Sequence, residues 1–229
     1  MSAKAKPAAE KRKPNREEKK AATREALLDA ARRVFARQGY VATSVDEVAW
    51  EAGMTKGAVY SNFASKDELF AAVIERHQDE RQLAIARSVD RTAPLLEQAT
   101  RAGEQFMASR DRDFELLTLE YTLHAARFPE GHEAMRERQR RMKAAIGEVI
   151  QETGPDDPVT SVLPIDQLVM AFFAIGDGVS VQWLAAPEDV PDDLYTNVLA
   201  IFVRGLEATA EDRAKEQRRT PRRRTTRAS

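Results

Sequence analysis

The chain has 229 residues, 42% of them hydrophobic and 32% charged, with no cysteine; these proportions argue against a disordered or membrane-embedded body, and the missing cysteine excludes disulfides, thiolate metal sites and a cysteine nucleophile. The formal net charge of −1 hides a sorting by position: residues 1–24 carry +6, residues 213–229 carry +7, and the stretch between them −14. An acidic body with two basic ends points to a polyanionic partner.

Residues 1–22 are rich in Lys, Ala, Glu and Pro and almost free of large apolar side chains, which predicts a disordered basic arm that can become helical near its end. They hold no apolar run of the kind a secretory signal needs, so a cytoplasmic protein is expected. Thr23 is placed to N-cap a first helix carrying Leu27, Ala30, Ala31, Val34 and Phe35 on one face, with Gly39 as its stop after Gln38. A short helix follows over about 44–52, where Thr43 with Asp46 and Ser44 with Glu47 are competing cap pairs, and Gly53 ends it. Further helices are expected over about 55–63 and from Ser65, whose S-x-x-E box with Glu68 opens a helix reaching about Ser88.

Downstream the spacing predicts helices over about 94–109, through Phe114, Leu117, Tyr121 and His124 up to Pro129, over about 132–153 with the stripe Met135, Met142, Ile146 and Ile150, over 165–184, and over 192–207. The expectation is an all-α protein of about nine helices. It divides into the arm (1–22), a three-helix head (23–68), a larger helical domain (69–210) and a disordered basic tail (211–229). The most apolar run, Leu168 to Ala186, is interrupted by Asp177 and Gln182 and contains Gly176 and Gly178, which argues against a bilayer span.

Two short helices joined at a glycine outline a helix-turn-helix. Ala49 and Ala52 permit a close crossing, while Val59 and Phe63 bury the inner face of the second helix. What remains outward is Thr55, Lys56, Gly57, Ala58, Tyr60, Ser61 and Asn62, a small polar face with one cation and one phenol. The run from Thr23 to Phe70 contains F-x-x-x-G-Y at Phe35 to Tyr40, T-S-V-x-E-V-A at Thr43 to Ala49, A-G-M-T-K-G-A-V-Y-x-N-F at Ala52 to Phe63 and S-K-D-E-L-F at Ser65 to Phe70. In this it resembles the DNA-binding domain of the tetracycline-repressor (TetR) family of transcriptional regulators.

The resemblance implies a sequence-specific regulator, commonly a repressor, that binds a palindromic operator as a homodimer and is released by a small molecule. It would place Thr55, Lys56, Gly57, Tyr60 and Asn62 against DNA, Lys56 at a base edge and Tyr60 at phosphate, with Ser44 and Lys66 on backbone phosphate at helix starts. Ala58 and Asn62 depart from the residues common at those positions, so the operator does not transfer from a relative; Ala58 suits a thymine methyl and Asn62 a phosphate or adenine. Residues 25–66 balance five cations with five anions, so the head is neutral and the basic arm supplies the attraction for phosphate.

In the larger domain the 165–184 helix is apolar on nearly every side and needs cover all round. Its A-I-G-D-G-V-x-x-Q-W-L run is similar to the family's dimerisation helix, which implies an interface of Phe173, Ala174, Gly178 and Val181 with Leu194, Val198, Ile201 and Phe202. A central core helix of a monomer is the alternative. Phe106, Met107, Phe114, Leu117, Tyr121, His124 and Phe172 are the candidate lining of a pocket for a hydrophobic effector, with ordinary core packing as the competing account of each.

An enzyme is not expected. His132 and Glu133 lack the second histidine of a zincin, since Arg136 stands there, and no phosphate-binding glycine loop occurs. No cofactor, metal or membrane partner is expected. The rival reading is an architectural protein that binds any duplex through its basic ends.

Overall fold

The computed structural model describes residues 15–128 and 158–219, with 136, 137, 140, 141, 143, 144 and 147 between them. The described residues are helical apart from turns, with no strand among them. By its contacts the chain separates into two units, residues 1–73 and 74–229. This division and the expected boundary after residue 68 both fall inside one helix, Lys66–Ser88.

In the first unit α1 (Arg16–Ala42) begins earlier than Thr23. Asn15 is the N-cap: its side chain accepts from the Glu18 N–H at 2.8 Å, and Glu18 returns the bond at 2.7 Å. Thr23 lies inside the helix, where its hydroxyl donates to the Lys19 carbonyl at 2.9 Å. The last seven residues assigned to the arm are therefore exposed helix, and residues 1–14 lie outside the described residues. Helical spacing puts Leu27, Leu28, Ala30, Ala31, Val34 and Phe35 in the core.

Gly39 interrupts α1 at φ 75°, ψ 175°, a conformation open essentially to glycine alone, and this turns the chain toward α2 (Val45–Glu51). Gly39→Ala is expected to cost about 1–3 kcal/mol, read as a lower denaturation midpoint of the first unit; an unchanged midpoint would contradict the strained turn. Helix α3 (Lys56–Tyr60) and the first turns of α4 (Lys66–Ser88) complete the unit, with Val48, Val59, Phe63, Leu69 and Phe70 buried alongside the α1 face.

The second unit holds the rest of α4, α5 (Leu95–Ala108), α6 (Arg112–Arg127), a 3₁₀ turn at Pro158–Ser161, α7 (Ile165–Ala185) and α8 (Leu194–Arg219). The predicted 132–153 helix, with Met135, Met142, Ile146, Ile150, His132 and Glu133, lies mostly outside the described residues, so a total of nine helices has no counterpart to compare. Helix α5 crosses α8 at Gly103, where an added Cβ would stand 3.2 Å from the Thr196 Cα. Gly176 of α7 likewise makes room for Phe106 and Tyr195.

One core cluster is Met107, Val179, Val190, Tyr195 and Leu199, with Phe106, Phe172, Ile175, Trp183 and Leu194 packed on it. A second is Val159, Leu168 and Leu206, flanked by Phe202. By length and composition α7 matches a bilayer span; in the fold it buries Leu168, Val169, Gly176, Val179 and Ser180 within the unit.

The expected end of the last helix at 207 and the disordered tail from 211 are corrected by α8, which runs to Arg219. Ala210 is buried, Lys215 pairs with Glu211 and Asp212 one turn back, and Arg213 donates to the Ser161 and Val162 carbonyls at 2.9 and 3.1 Å. The first arginine of the basic tail thus holds the 3₁₀ turn in place. Residues 220–229 lie outside the described residues.

Candidate nucleic-acid interface

Of the competing caps at α2, Ser44 with Glu47 is the pair that forms. The Ser44 Oγ accepts from the Glu47 N–H at 3.2 Å, and the Glu47 carboxylate accepts from the Ser44 N–H and hydroxyl at 2.8 Å each. These bonds hold the Glu47 carboxyl below its ordinary pKa. Thr43 is buried instead, its hydroxyl donating to the Gly39 carbonyl at 2.7 Å.

The turn after α2 is closed by the Gly53 and Met54 N–H groups, which donate to the Trp50 and Ala49 carbonyls at 3.0 and 2.8 Å, with Gly53 at φ +65°. Thr55 then N-caps α3, its hydroxyl accepting from the Ala58 N–H at 3.2 Å. Val59 and Phe63 face inward and are fully buried, as their spacing requires. At about 100° per residue, Gly57 and Ser61 lie opposite Val59 and Phe63, with Lys56 and Tyr60 on the flank between, and all four are exposed. The far end of α3 is pinned by Arg24, whose guanidinium lies 4.2 Å over the Phe63 ring and donates to the Asn62 carbonyl at 2.8 Å.

The structure divides the predicted contact residues. Thr55, Lys56, Gly57, Tyr60 and Ser61 share the exposed side of the head, and Ala58 is half-buried beside them. The Ser61 hydroxyl and the Asn62 amide both turn back to the Ala58 carbonyl, at 2.9 and 2.8 Å, and the Asn62 Oδ1 is buried without a donor. Asn62 therefore terminates α3 rather than extending from it.

Lys66 makes contacts inside the head that its place at a helix start does not announce. Its ammonium donates to the Tyr40 and Thr43 carbonyls at 2.8 Å each and sits 4.2 Å over the Tyr40 ring. It satisfies the open carbonyls at the end of α1, and burial pushes its pKa down. A phosphate contact by that side chain would require breaking this cap.

Charge on the head is largely spent internally. Arg33 and Arg37 share Glu51 at 2.8 and 2.9 Å, and their hydrogen bonds lower its pKa. Lys56 pairs with Asp46 at 2.8 Å in full view of solvent, and that hydrogen bond raises the lysine's pKa. On the same surface Trp50, whose orientation the sequence left open, is 81% exposed.

In the second unit the predicted pocket residues fall into groups. Phe106, Met107 and Phe172 belong to the first core cluster. Phe114, Leu117 and Tyr121 are buried along one side of α6, with Phe114 stacked on His77 of α4 at 3.5 Å. His124 is half-buried and packs on Phe128, itself exposed, at 4.7 Å. An ion pair that helical periodicity did not single out lies here: Arg81 of α4 and Glu115 of α6, 2.7 Å apart, with the Arg81 guanidinium 4.0 Å over Phe106.

The predicted interface residues divide too. Leu194 packs on the first cluster, and Phe202 packs on the second and edge-on to Phe172 at 5.6 Å, so both serve the unit's own core. Phe173 and Val198 are half-buried. Ala174, Gly178 and Val181 are exposed in one stripe of α7, which the sequence reading left without its first member, Met170; Ile201 is exposed on α8.

Residues 27–73 match the family model described as bacterial regulatory proteins, tetR family. A helix-turn-helix transcriptional repressor of Mycobacterium tuberculosis is 30% identical over 74% of this chain and 86% of its own length. The activator FasR of Mycolicibacterium smegmatis and the repressor BepR of Brucella suis are 36% and 38% identical, over 38% and 43% of this chain. The chain spans less than half the length of those two relatives, 40% and 49%. Among solved structures, a transcriptional regulator of a Rhodococcus species is similar with a TM-score of 0.64 at 23% identity, covering 80% of this chain and 95% of its own. The multidrug binding protein EbrR, solved with imidazole, has a TM-score of 0.59 at 22% identity, covering 78% and 88%.

Proposed function

The chain belongs to the tetR family of bacterial regulatory proteins, and from that premise we propose that it is a repressor that binds a palindromic DNA operator as a homodimer and leaves it when a small molecule binds. The observation that carries DNA recognition is Gly57. A glycine in a helix of five residues costs about 1 kcal/mol relative to alanine, yet a Cβ there would meet nothing closer than the Thr55 hydroxyl at 3.8 Å. The protein itself has no steric use for a glycine at that site. A surface that approaches the α3 backbone does, and the flanking Lys56 and Tyr60 are suited to a major groove and its phosphates.

With Arg33, Arg37 and Lys66 engaged inside the head, long-range attraction falls to the basic residues ahead of Leu27, including Arg16, Lys19 and Lys20 on the exposed first turns of α1. Dimerisation through the stripe Met170, Ala174, Gly178 and Val181 of α7 with Ile201 of α8 would cover apolar surface otherwise left in water. Helix α4 contributes Lys66–Val73 to the first unit and Ile74–Ser88 to the second. An effector seated among Phe106, Phe114, Leu117 and Tyr121 and shifting α4 would alter the spacing of two heads that must match half-sites roughly 34 Å apart. That a structural relative is a multidrug binding protein, solved with imidazole, supports a small-molecule effector.

The test is selection of genomic fragments by the purified chain, followed by gel shifts in competitor DNA. One palindrome preferred by about 10³-fold or more is expected. Lys56→Ala should weaken it by about tenfold or more, and Asp46→Asn should strengthen binding by releasing Lys56. Equal affinity for every duplex would overturn sequence-specific recognition in favour of the architectural reading.

A further inference from the structure

We infer that Trp50 is a contact to the DNA backbone, placed on α2 beside the recognition helix; the inference rests on the DNA-binding reading above. Helix α2 carries Trp50 away from its buried face. Its buried positions are Val45, Val48 and Ala49. Glu47 and Glu51 face α1, where they meet Gln38, Arg33 and Arg37, while Asp46 faces α3 through its bond to Lys56.

Trp50 follows Asp46 by four residues, about 40° away around the helix and one turn along it. It therefore lies on the side of α2 that carries the Asp46–Lys56 pair, in line with the exposed arc of α3. Among the described residues its ring stacks on no other aromatic side chain and its indole N–H meets no acceptor.

An indole that is 81% exposed adds nothing to the core of the head. Left in water, it leaves exposed most of an apolar surface that aromatic side chains ordinarily bury, roughly 150–250 Å². Tryptophan is enriched where a partner covers it, because the ring supplies apolar area and the N–H a single donor. The occupant is set by continuity with the surface of Lys56, Gly57 and Tyr60. In a helix-turn-helix the first helix of the motif crosses the phosphate backbone while the second enters the groove. A side chain on this face of α2 thus meets deoxyribose and phosphate: the ring covers a sugar, and Nε1–H donates to a phosphate oxygen. Such a contact fixes register and adds affinity but reads no base.

The test uses the full chain and two labelled duplexes of equal length, the palindrome recovered by genomic selection and a scrambled sequence, at low salt. The chain has two tryptophans, so in Trp183→Phe the emission reports Trp50 alone. That emission is expected to change in step with binding of either duplex, measured by anisotropy of the DNA. Trp50→Ala is expected to weaken binding to both duplexes alike, by about tenfold, with an unchanged thermal unfolding profile because the ring is exposed.

Unchanged affinity in Trp50→Ala, or emission that ignores saturating DNA, overturns the inference, and a weakened Lys56→Ala in the same assay leaves the DNA-binding reading standing. Failure of the wild-type chain to bind either duplex overturns that reading and the inference with it. A loss confined to the palindrome would assign the indole to a base edge, and a changed oligomeric state at constant DNA affinity would assign it to a protein; either overturns the backbone contact.

Discussion

Replacing Glu115 with alanine is expected to destabilise the second unit by about 3–5 kcal/mol, and pairing it with Arg81→Met is expected to recover most of that loss. The two side chains are 12% and 8% exposed and 2.7 Å apart. Among the described residues, the Arg81 guanidinium has beyond Glu115 a long donor contact of 3.4 Å to the Phe106 carbonyl and the face of the Phe106 ring at 4.0 Å, and its Nε is buried with no acceptor. Taking away the carboxylate leaves a desolvated cation with almost nothing to neutralise it, which is why the single change costs more than the pair itself contributes.

The surroundings offer no easy replacement. Phe106 is held by Tyr195 at 4.5 Å and by the absence of a side chain at Gly176, and burial raises the Tyr195 phenol to about 12, so that hydroxyl stays protonated and cannot supply a negative charge. The measurement is denaturant unfolding in a Trp50→Phe background, so that emission reports Trp183, which packs in this unit beneath Arg110 at 4.8 Å. A loss below about 1 kcal/mol in Glu115→Ala, or a double variant no more stable than the single, would show that the pair is neither desolvated nor mutually dependent.

The contrast between this pair and the head marks where sequence reasoning works. In the head, each rule acts over a few residues: Gly39 ends a helix because its backbone is left-handed, and Ser44 and Thr55 cap because a short hydroxyl precedes a free N–H. Val59 and Phe63 are buried because they lie four apart on one side. The same rules left two caps open at Thr43 and Ser44, and burial of Thr43 by the turn at Gly39 decided between them.

Contacts that depend on partners distant in sequence are less legible. Lys66 looks like a cation at a helix start, and only the folded position of the α1 carbonyls, about 25 residues earlier, turns it into a cap. Arg81 and Glu115 each look like solvated helix charges, because 34 residues separate them. Leu194 and Phe202 fit a dimer stripe by spacing, but the α5–α8 crossing at Gly103 brings them into their own core. A helical end to the arm is expected, but its start at Asn15 and the extension of α8 to Arg219 are not marked by charge, since Ala, Glu, Lys and Arg are also strong helix formers.

Phe70→Ala is expected to remove DNA binding while leaving the second unit folded. Phe70 and Phe35 are fully buried with ring centroids 4.8 Å apart, and Tyr40 stacks on Phe70 at 4.7 Å. These three rings join the end of α1 to the start of α4. The Tyr40 hydroxyl donates to Asp67 and its other face carries the Lys66 ammonium, so the polar cap of the turn is built on the aromatic stack. Truncating Phe70 opens a cavity under Tyr40 and costs about 3–5 kcal/mol, a large share of what a unit of this size can have.

With the stack gone, the Lys66 cap loses its platform and the Gly39 turn its constraint, which frees α2 and the glycine turn that orients α3. Tyr40→Phe keeps the stack and removes the bond to Asp67, with an expected cost of about 1 kcal/mol and DNA binding retained. Gel shift against the selected duplex, together with Trp183 fluorescence in a Trp50→Phe background as a gauge of the second unit, separates the two effects. A Phe70→Ala chain that binds the duplex with wild-type affinity would show that the three-ring stack does not hold the recognition helix in place.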